Sequence, residues 1–137
     1  MKKTGESGGI PISRVWTAEE RTLINNFLVH AKALLATKDF IIQPTPKNKA
    51  FQKRYPLRSD DQIAILRSLQ VEDCVAVEPN DNPRYSDSTV FKFIKEVEIT
   101  VLGETELVEI YIKEYIEDRR THEIICVISF HEEGLHD

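Results

Sequence analysis

The stretch Thr89-Val-Phe-Lys-Phe-Ile-Lys-Glu-Val-Glu-Ile-Thr-Val-Leu102 decides the fold, together with Gly103-Glu104 and the run Glu106-Leu-Val-Glu-Ile-Tyr-Ile-Lys-Glu-Tyr-Ile116 that follows it. Both runs are rich in β-branched and aromatic residues, and so short a connection implies antiparallel neighbours. A third run, His122-Glu-Ile-Ile-Cys-Val-Ile-Ser-Phe-His131, comes after Asp118-Arg-Arg-Thr121 and is closed by Glu-Glu-Gly134. The pattern predicts a three-stranded meander over about residues 89–131.

Residues two apart in a strand share a face of the sheet. In the second run this groups Val108, Ile110, Ile112 and Ile116, and in the third Ile124, Cys126, Ile128 and Phe130. That apolar face is the expected core. The opposite face then carries Tyr111, Lys113 and Tyr115 with Ile125, Val127, Ser129 and His131, half apolar and half chemical. In the first run Phe91, Phe93, Val97, Ile99 and Val101 share a parity that Lys95 interrupts, and Lys92 sits on the other side. A bulge would bring both lysines near the same site, so the pattern leaves the choice between Lys92 and Lys95 open.

With 137 residues the chain is long enough for one domain with its own core, and its hydrophobic and charged fractions are those of an ordinary globular protein. No apolar run approaches a membrane span, and the Met-Lys-Lys-Thr-Gly-Glu-Ser-Gly-Gly start lacks the apolar stretch of a secretory signal. Cys74 and Cys126 stand far apart and outside metal-ligand spacing, which reads as reduced thiols in a cytoplasmic protein without a metal or cofactor. The net charge of −5 conceals an asymmetry: residues 1–58 hold 11 basic against 4 acidic side chains, and residues 59–137 hold 7 against 19. A nucleic-acid partner would have to meet a local patch rather than the field of the whole molecule.

Taken in order, residues 1–14 form a Gly/Ser-containing lead, and residues 15–134 read as a single domain. Thr17-Ala-Glu-Glu20 is a capping box, and Leu23, Ile24, Phe27, Leu28, Ala31, Leu34 and Leu35 recur at helical spacing to about residue 37. That apolar stripe is the natural cover for the core face of the sheet. His30 lies beside the stripe and is most simply a packed or solvated residue. Phe40-Ile-Ile-Gln43 reads as a short strand ended by Pro44 and Pro46. Residues 47–58 carry five positive charges and no acid, with Phe51 and Tyr55 interleaved. Lys53, Arg54 and Tyr55 are candidates there for an RNA backbone and its bases. The alternative is a solvated turn with its aromatics packed inward. Ser59-Asp-Asp-Gln62 opens a shorter helix to about residue 69, residues 71–75 extend it or form a separate turn, and residues 78–88 read as a loop. The whole is an α+β domain: N-terminal helices on one face of a small antiparallel sheet that ends in the meander.

Leu69-Gln-Val-Glu-Asp-Cys-Val75, the Asp/Asn/Pro/Arg loop at 79–84, Val90-Phe-Lys-Phe-Ile-Lys95, Glu109-Ile-Tyr-Ile-Lys113 and Cys126-Val-Ile-Ser-Phe-His-Glu132 together resemble the MqsR family. These are toxins of type II toxin–antitoxin systems with the RelE-like fold of mRNA interferases. The resemblance spans roughly residues 20–133. It implies a metal-independent endoribonuclease that cleaves mRNA and is neutralised by a cognate antitoxin. Tyr111 and Lys113 match the family's Tyr-x-Lys, and His131 stands where members carry His or Lys. Lys95 matches a family lysine, whereas Lys92 occupies a position that is Gln in other members. Cys74 and Ala76 replace a family Tyr and Lys, which argues against activity.

Those residue types suit RNA cleavage without a metal, which needs the 2′-OH deprotonated, the phosphorane stabilised and the leaving 5′-oxygen protonated, giving a 2′,3′-cyclic phosphate. His131 would serve as general acid or base, Lys113 with Lys95 or Lys92 would hold the phosphorane, and Tyr111 would bond phosphate or stack on a base. Arg84 in the 78–88 loop is a further phosphate candidate. The rival reading is a non-catalytic interaction module that docks a partner on an edge strand or sheet face, favoured by Ala76 and the negative net charge. A small-molecule enzyme has little support, since the chain has no Gly-rich phosphate loop and no paired-carboxylate spacing.

Overall fold

A computed structural model describes residues 15–85 and 88–134, so the expected lead over residues 1–14 lies outside the described residues. Among the described residues, three α-helices and five strands make up an α+β fold. Helix α1 (Ala18–Ala36) begins as its sequence dictates: Thr17 Oγ1 accepts from Glu20 N at 3.1 Å and Glu20 Oε1 accepts from Thr17 N at 2.8 Å. Strand β1 (Phe40–Ile42) follows, then helices α2 (Pro46–Arg54) and α3 (Ser59–Arg67). A 3₁₀ turn at Val71–Asp73 leads into β2 (Cys74–Pro79). The meander is β3 (Thr89–Val101), β4 (Glu104–Asp118) and β5 (Glu123–Glu132).

The strands lie in the order β1-β5-β4-β3-β2. The sheet is mixed rather than antiparallel throughout, because β1 runs parallel to β5, with Ile41 opposite Cys126. Strand β2 was not expected. Its Glu78-Pro79 end has loop composition, yet it forms the antiparallel edge beside β3. Residues 47–58, read as a basic segment or turn, are largely helical: Thr45 caps Asn48 N at 3.2 Å and Pro46 stands at the first position, where its missing N–H costs nothing. The shorter helix starts at Ser59 itself, one residue earlier than the expected capping box implies, so the cap is Arg58, whose N donates to Asp61 Oδ2 at 2.9 Å.

Two bulges set which side chains share a face. Cys74 pairs with Phe93 but Ala76 pairs with Lys92, so Val75 is the extra residue of β2. Lys113 pairs with Ser129 but Glu114 pairs with Val127, so Ile128 is the extra residue of β5. Beyond Ile128 the alternation of β5 reverses. Ile125 and Val127, expected beside His131, instead join the core with no exposure, and Cys126 packs with Val90, Tyr115 and Ile128 on the other side. The main core lies on the face of Phe91, Phe93, Ile110, Ile112 and Phe130. Phe27 of α1 stacks on Phe91 with centroids 4.0 Å apart, and Phe51 of α2 meets Phe130 edge-on at 5.8 Å.

The β5 bulge is held by one side chain. The buried amide of Asn48 donates to Ile128 O at 2.9 Å and to Gln43 O at 2.8 Å, and its Oδ1 accepts from Phe130 N at 2.8 Å. It follows directly on Gln43 N, which donates to Val127 O at 2.9 Å, so the Asn48 amide stands in for the next peptide of β1. Asn48→Ala would orphan the buried Phe130 N–H and the Ile128 carbonyl, while Gln43 O keeps Thr45 N at 2.9 Å, and a loss of about 2–4 kcal/mol is expected in denaturant unfolding.

Glu114 belongs to the core face, opposite Phe91 and Val127, and is 2 % exposed. Its Oε1 finds no hydrogen-bond partner among the described residues, and burial pushes its carboxyl up from 4.5 to about 8. Such a group keeps its proton in the native state while the unfolded chain releases it. Its cost is therefore absent below pH 4.5, grows through the window from 4.5 to about 8, and then levels off. At about 1.4 kcal/mol per pH unit, Glu114→Met should gain roughly 4 kcal/mol over the wild type between about pH 5 and pH 8. Paired urea melts across that range check the sign.

Candidate functional site

On the face away from the helices, Tyr111 and His131 are directly cross-strand, with ring centroids 5.7 Å apart and planes tilted by 46°. One pair further along, Lys113 faces Ser129 on one side and Lys92 on the other. The Tyr-x-Lys of β4 thus meets the Ser-Phe-His of β5 as parity requires, because both lie on the same side of the Ile128 bulge. Lys92 reaches the site and Lys95 does not. Lys95 has the parity of Phe91 and Phe93, and its Nζ lies 3.3 Å from Asp73 Oδ2 and 3.4 Å from Ser68 O, pinning the 3₁₀ turn before β2.

The four side chains differ in access. His131 is 2 % exposed and Tyr111 8 %, whereas Lys92 and Lys113 are half-buried. His131 Nδ1 lies 3.0 Å from the carbonyl oxygen of Glu132. A carbonyl only accepts, so Nδ1 carries a proton and Nε2 is the basic nitrogen of the neutral ring. Lys92 Nζ stands 2.8 Å from Glu78 Oε1, and that hydrogen bond holds its ammonium above the usual lysine range. Burial opposes the shift, and Tyr111 and Asp81 add to it.

The remaining candidates lie elsewhere. Lys53 and Arg54 are exposed on α2, whose Phe51 packs on the helical side of the sheet. Arg54 makes an ion pair with Glu132 at 3.3 Å and lies 5.2 Å over the Tyr55 ring. Tyr55 is 2 % exposed and its hydroxyl donates to Glu106 Oε1 at 3.2 Å, so it has no face to offer a base. The inward-packing alternative describes this tyrosine and Phe51. Arg84 is exposed in the turn Pro83–Tyr85, with its backbone N bonded to Asn82 Oδ1 at 3.0 Å. Sequence reading missed Glu78, because its strand was hidden, and with it the ion pair that orients Lys92. Among the described residues no group of three His, Cys, Asp or Glu is placed to hold a metal, and no helix is long and apolar enough to cross a membrane.

Comparison with protein-family models, with curated proteins and with solved structures finds no match to this chain. The chemistry of the face is therefore read from its own geometry. Two lysines directly opposite on adjacent strands repel one another, and among the described residues Lys92 has a carboxylate at 2.8 Å, that of Glu78. An anion seated between them relieves that repulsion. Glu78→Gln should lower the Lys92 pKa, measured by NMR titration of its side-chain signals.

Proposed function

We propose that this face is the active site of a metal-independent endoribonuclease. On this reading the chain is the toxin of a type II toxin–antitoxin pair with a RelE-like fold, cutting mRNA in the cytoplasm until a cognate antitoxin binds it. The observation that carries the reading is the cross-strand pair Lys92 and Lys113 beside Tyr111 and His131. It gathers two cations, a phenol and an imidazole on one small patch. Lys113 and Lys92 stabilise the phosphorane, Tyr111 bonds a phosphate oxygen, and Nε2 of His131 takes the 2′-OH proton or returns one to the 5′-oxygen.

The register supports this reading at the Ala76 departure. Ala76 pairs directly with Lys92 across β2 and β3. The lysine that the resembled toxins carry at the Ala76 position is thus replaced by one on the neighbouring strand, which keeps the positive charge on the same patch. The burial of His131 and Tyr111 favours the second reading, in which the same face binds a partner protein without cutting RNA.

The test is purified full chain with end-labelled single-stranded RNA in a chelator. The wild type should leave 2′,3′-cyclic phosphate ends. Lys113→Met and His131→Ala should each slow cleavage about 100-fold or more, and Lys95→Met should not. No cleavage by the wild type, or equal cleavage by all four proteins, contradicts the assignment and leaves the binding module.

A further inference from the structure

Beside Lys113 the sheet face falls into a recess of about 230 Å³. Its floor is Val90, Tyr115 and Ile128, part of a small apolar cluster separate from the main core. Its wall is the segment 78–82 with Gln43 opposite. Much of the wall's bonding capacity is spent internally. Asn80 Oδ1 accepts from Asn82 N at 3.0 Å while its amide donates to Ser88 Oγ at 3.1 Å, Asn82 Oδ1 takes Arg84 N at 3.0 Å, and Glu78 holds Lys92 at 2.8 Å. Gln43 Nε2 lies 3.1 Å from Cys126 Sγ, which leaves Oε1 as the accepting end of that amide. Asp81 is exposed at the rim.

The recess therefore presents two acceptors, the Asp81 carboxylate and Gln43 Oε1, over a buried apolar floor, and Lys113 forms its border with the lysine pair. A flat heteroaromatic ring that donates hydrogen bonds at its edge and continues into a phosphate matches all three features. We propose that the recess is a nucleobase subsite for the base adjoining the phosphate held by Lys92 and Lys113, and that it selects a base with an exocyclic amino group over uracil. The amine of cytosine, adenine or guanine donates to Asp81 and Gln43. Uracil would set its O4 carbonyl against those acceptors, and its single N3–H can pair with one of the two at most. This inference rests on the RNA reading of the neighbouring lysines.

Cytosine and uracil match in size and differ at C4 in amine against carbonyl, so they make the cleanest probe. Fluorescence anisotropy of the full chain with 2′-O-methyl oligocytidine and oligouridine hexamers, which lack the reactive hydroxyl, reads the preference without cleavage. The wild type should bind the cytidine hexamer about tenfold more tightly, and the double variant Asp81→Ala/Gln43→Leu should bind the two alike. Equal binding by the wild type, or a preference that survives in the double variant, overturns the subsite. Unmodified hexamers run in parallel separate the two ideas. Equal binding with cleavage removes the subsite and keeps the nuclease, preference without cleavage removes the nuclease and keeps the subsite, and no binding of either hexamer removes both.

Discussion

The side-chain amide of Asn48 is the constraint on which the rest depends. Strand β1 is three residues long and stops while β5 continues. A bulge at Ile128 then leaves backbone groups without a strand beside them, in a buried setting where each orphan is costly. One amide has the donor and acceptor geometry of a peptide unit, and Asn48 bonds both Ile128 O and Phe130 N across the gap. It also ties α2 to the sheet, so the helix that supplies Phe51 and Tyr55 to the core is the same one that fixes the bulge. The bulge in turn lets β5 place Ile125 and Val127 in the core at one end and His131 opposite Tyr111 at the other.

Much of this was legible in the chain. The capping box at Thr17, the apolar period of α1 and the two short connections of the meander are local signals, and they place three of the five strands. What escaped depends on contacts distant in sequence. Strand β2 carries Glu78 and Pro79, poor strand residues, and is held by pairing to β3 rather than by propensity. The bulge at Ile128 leaves no mark in an unbroken apolar run, so parity counted back from His131 fails at Val127. The basic segment 47–58 was ambiguous for the same reason: charge is visible in sequence, but the direction of Phe51 and Tyr55 follows from Phe130, which lies far along the chain.

The candidate site was half legible. Tyr111, Lys113 and His131 share a face because their spacing and the hairpin register agree locally. The choice between Lys92 and Lys95 needed the pairing of β3, which turns Lys95 to Asp73 and Lys92 to Glu78. The acidic residues are also sorted by register. Glu96 faces Glu109 on the outer part of the hairpin, one pair beyond Ile94 and Tyr111, with Glu98 after them. The open face is thus cationic at one end and anionic at the other, and a polyanion would meet the least repulsion at the lysine end. A net charge of −5 is compatible with a phosphate site once the charges are segregated in this way.

The direct test of the account is whether the Asn48-held bulge puts His131 beside Tyr111 in solution. Two-dimensional NMR on the full chain reads this through ring-to-ring NOEs and amide exchange. The structure predicts NOEs between the His131 and Tyr111 rings and a Phe130 amide that exchanges as slowly as the centre of β4. NOEs from His131 to Phe51, with a Phe130 amide that exchanges like a loop, would mean that β5 runs without the bulge and that the site as built here does not exist.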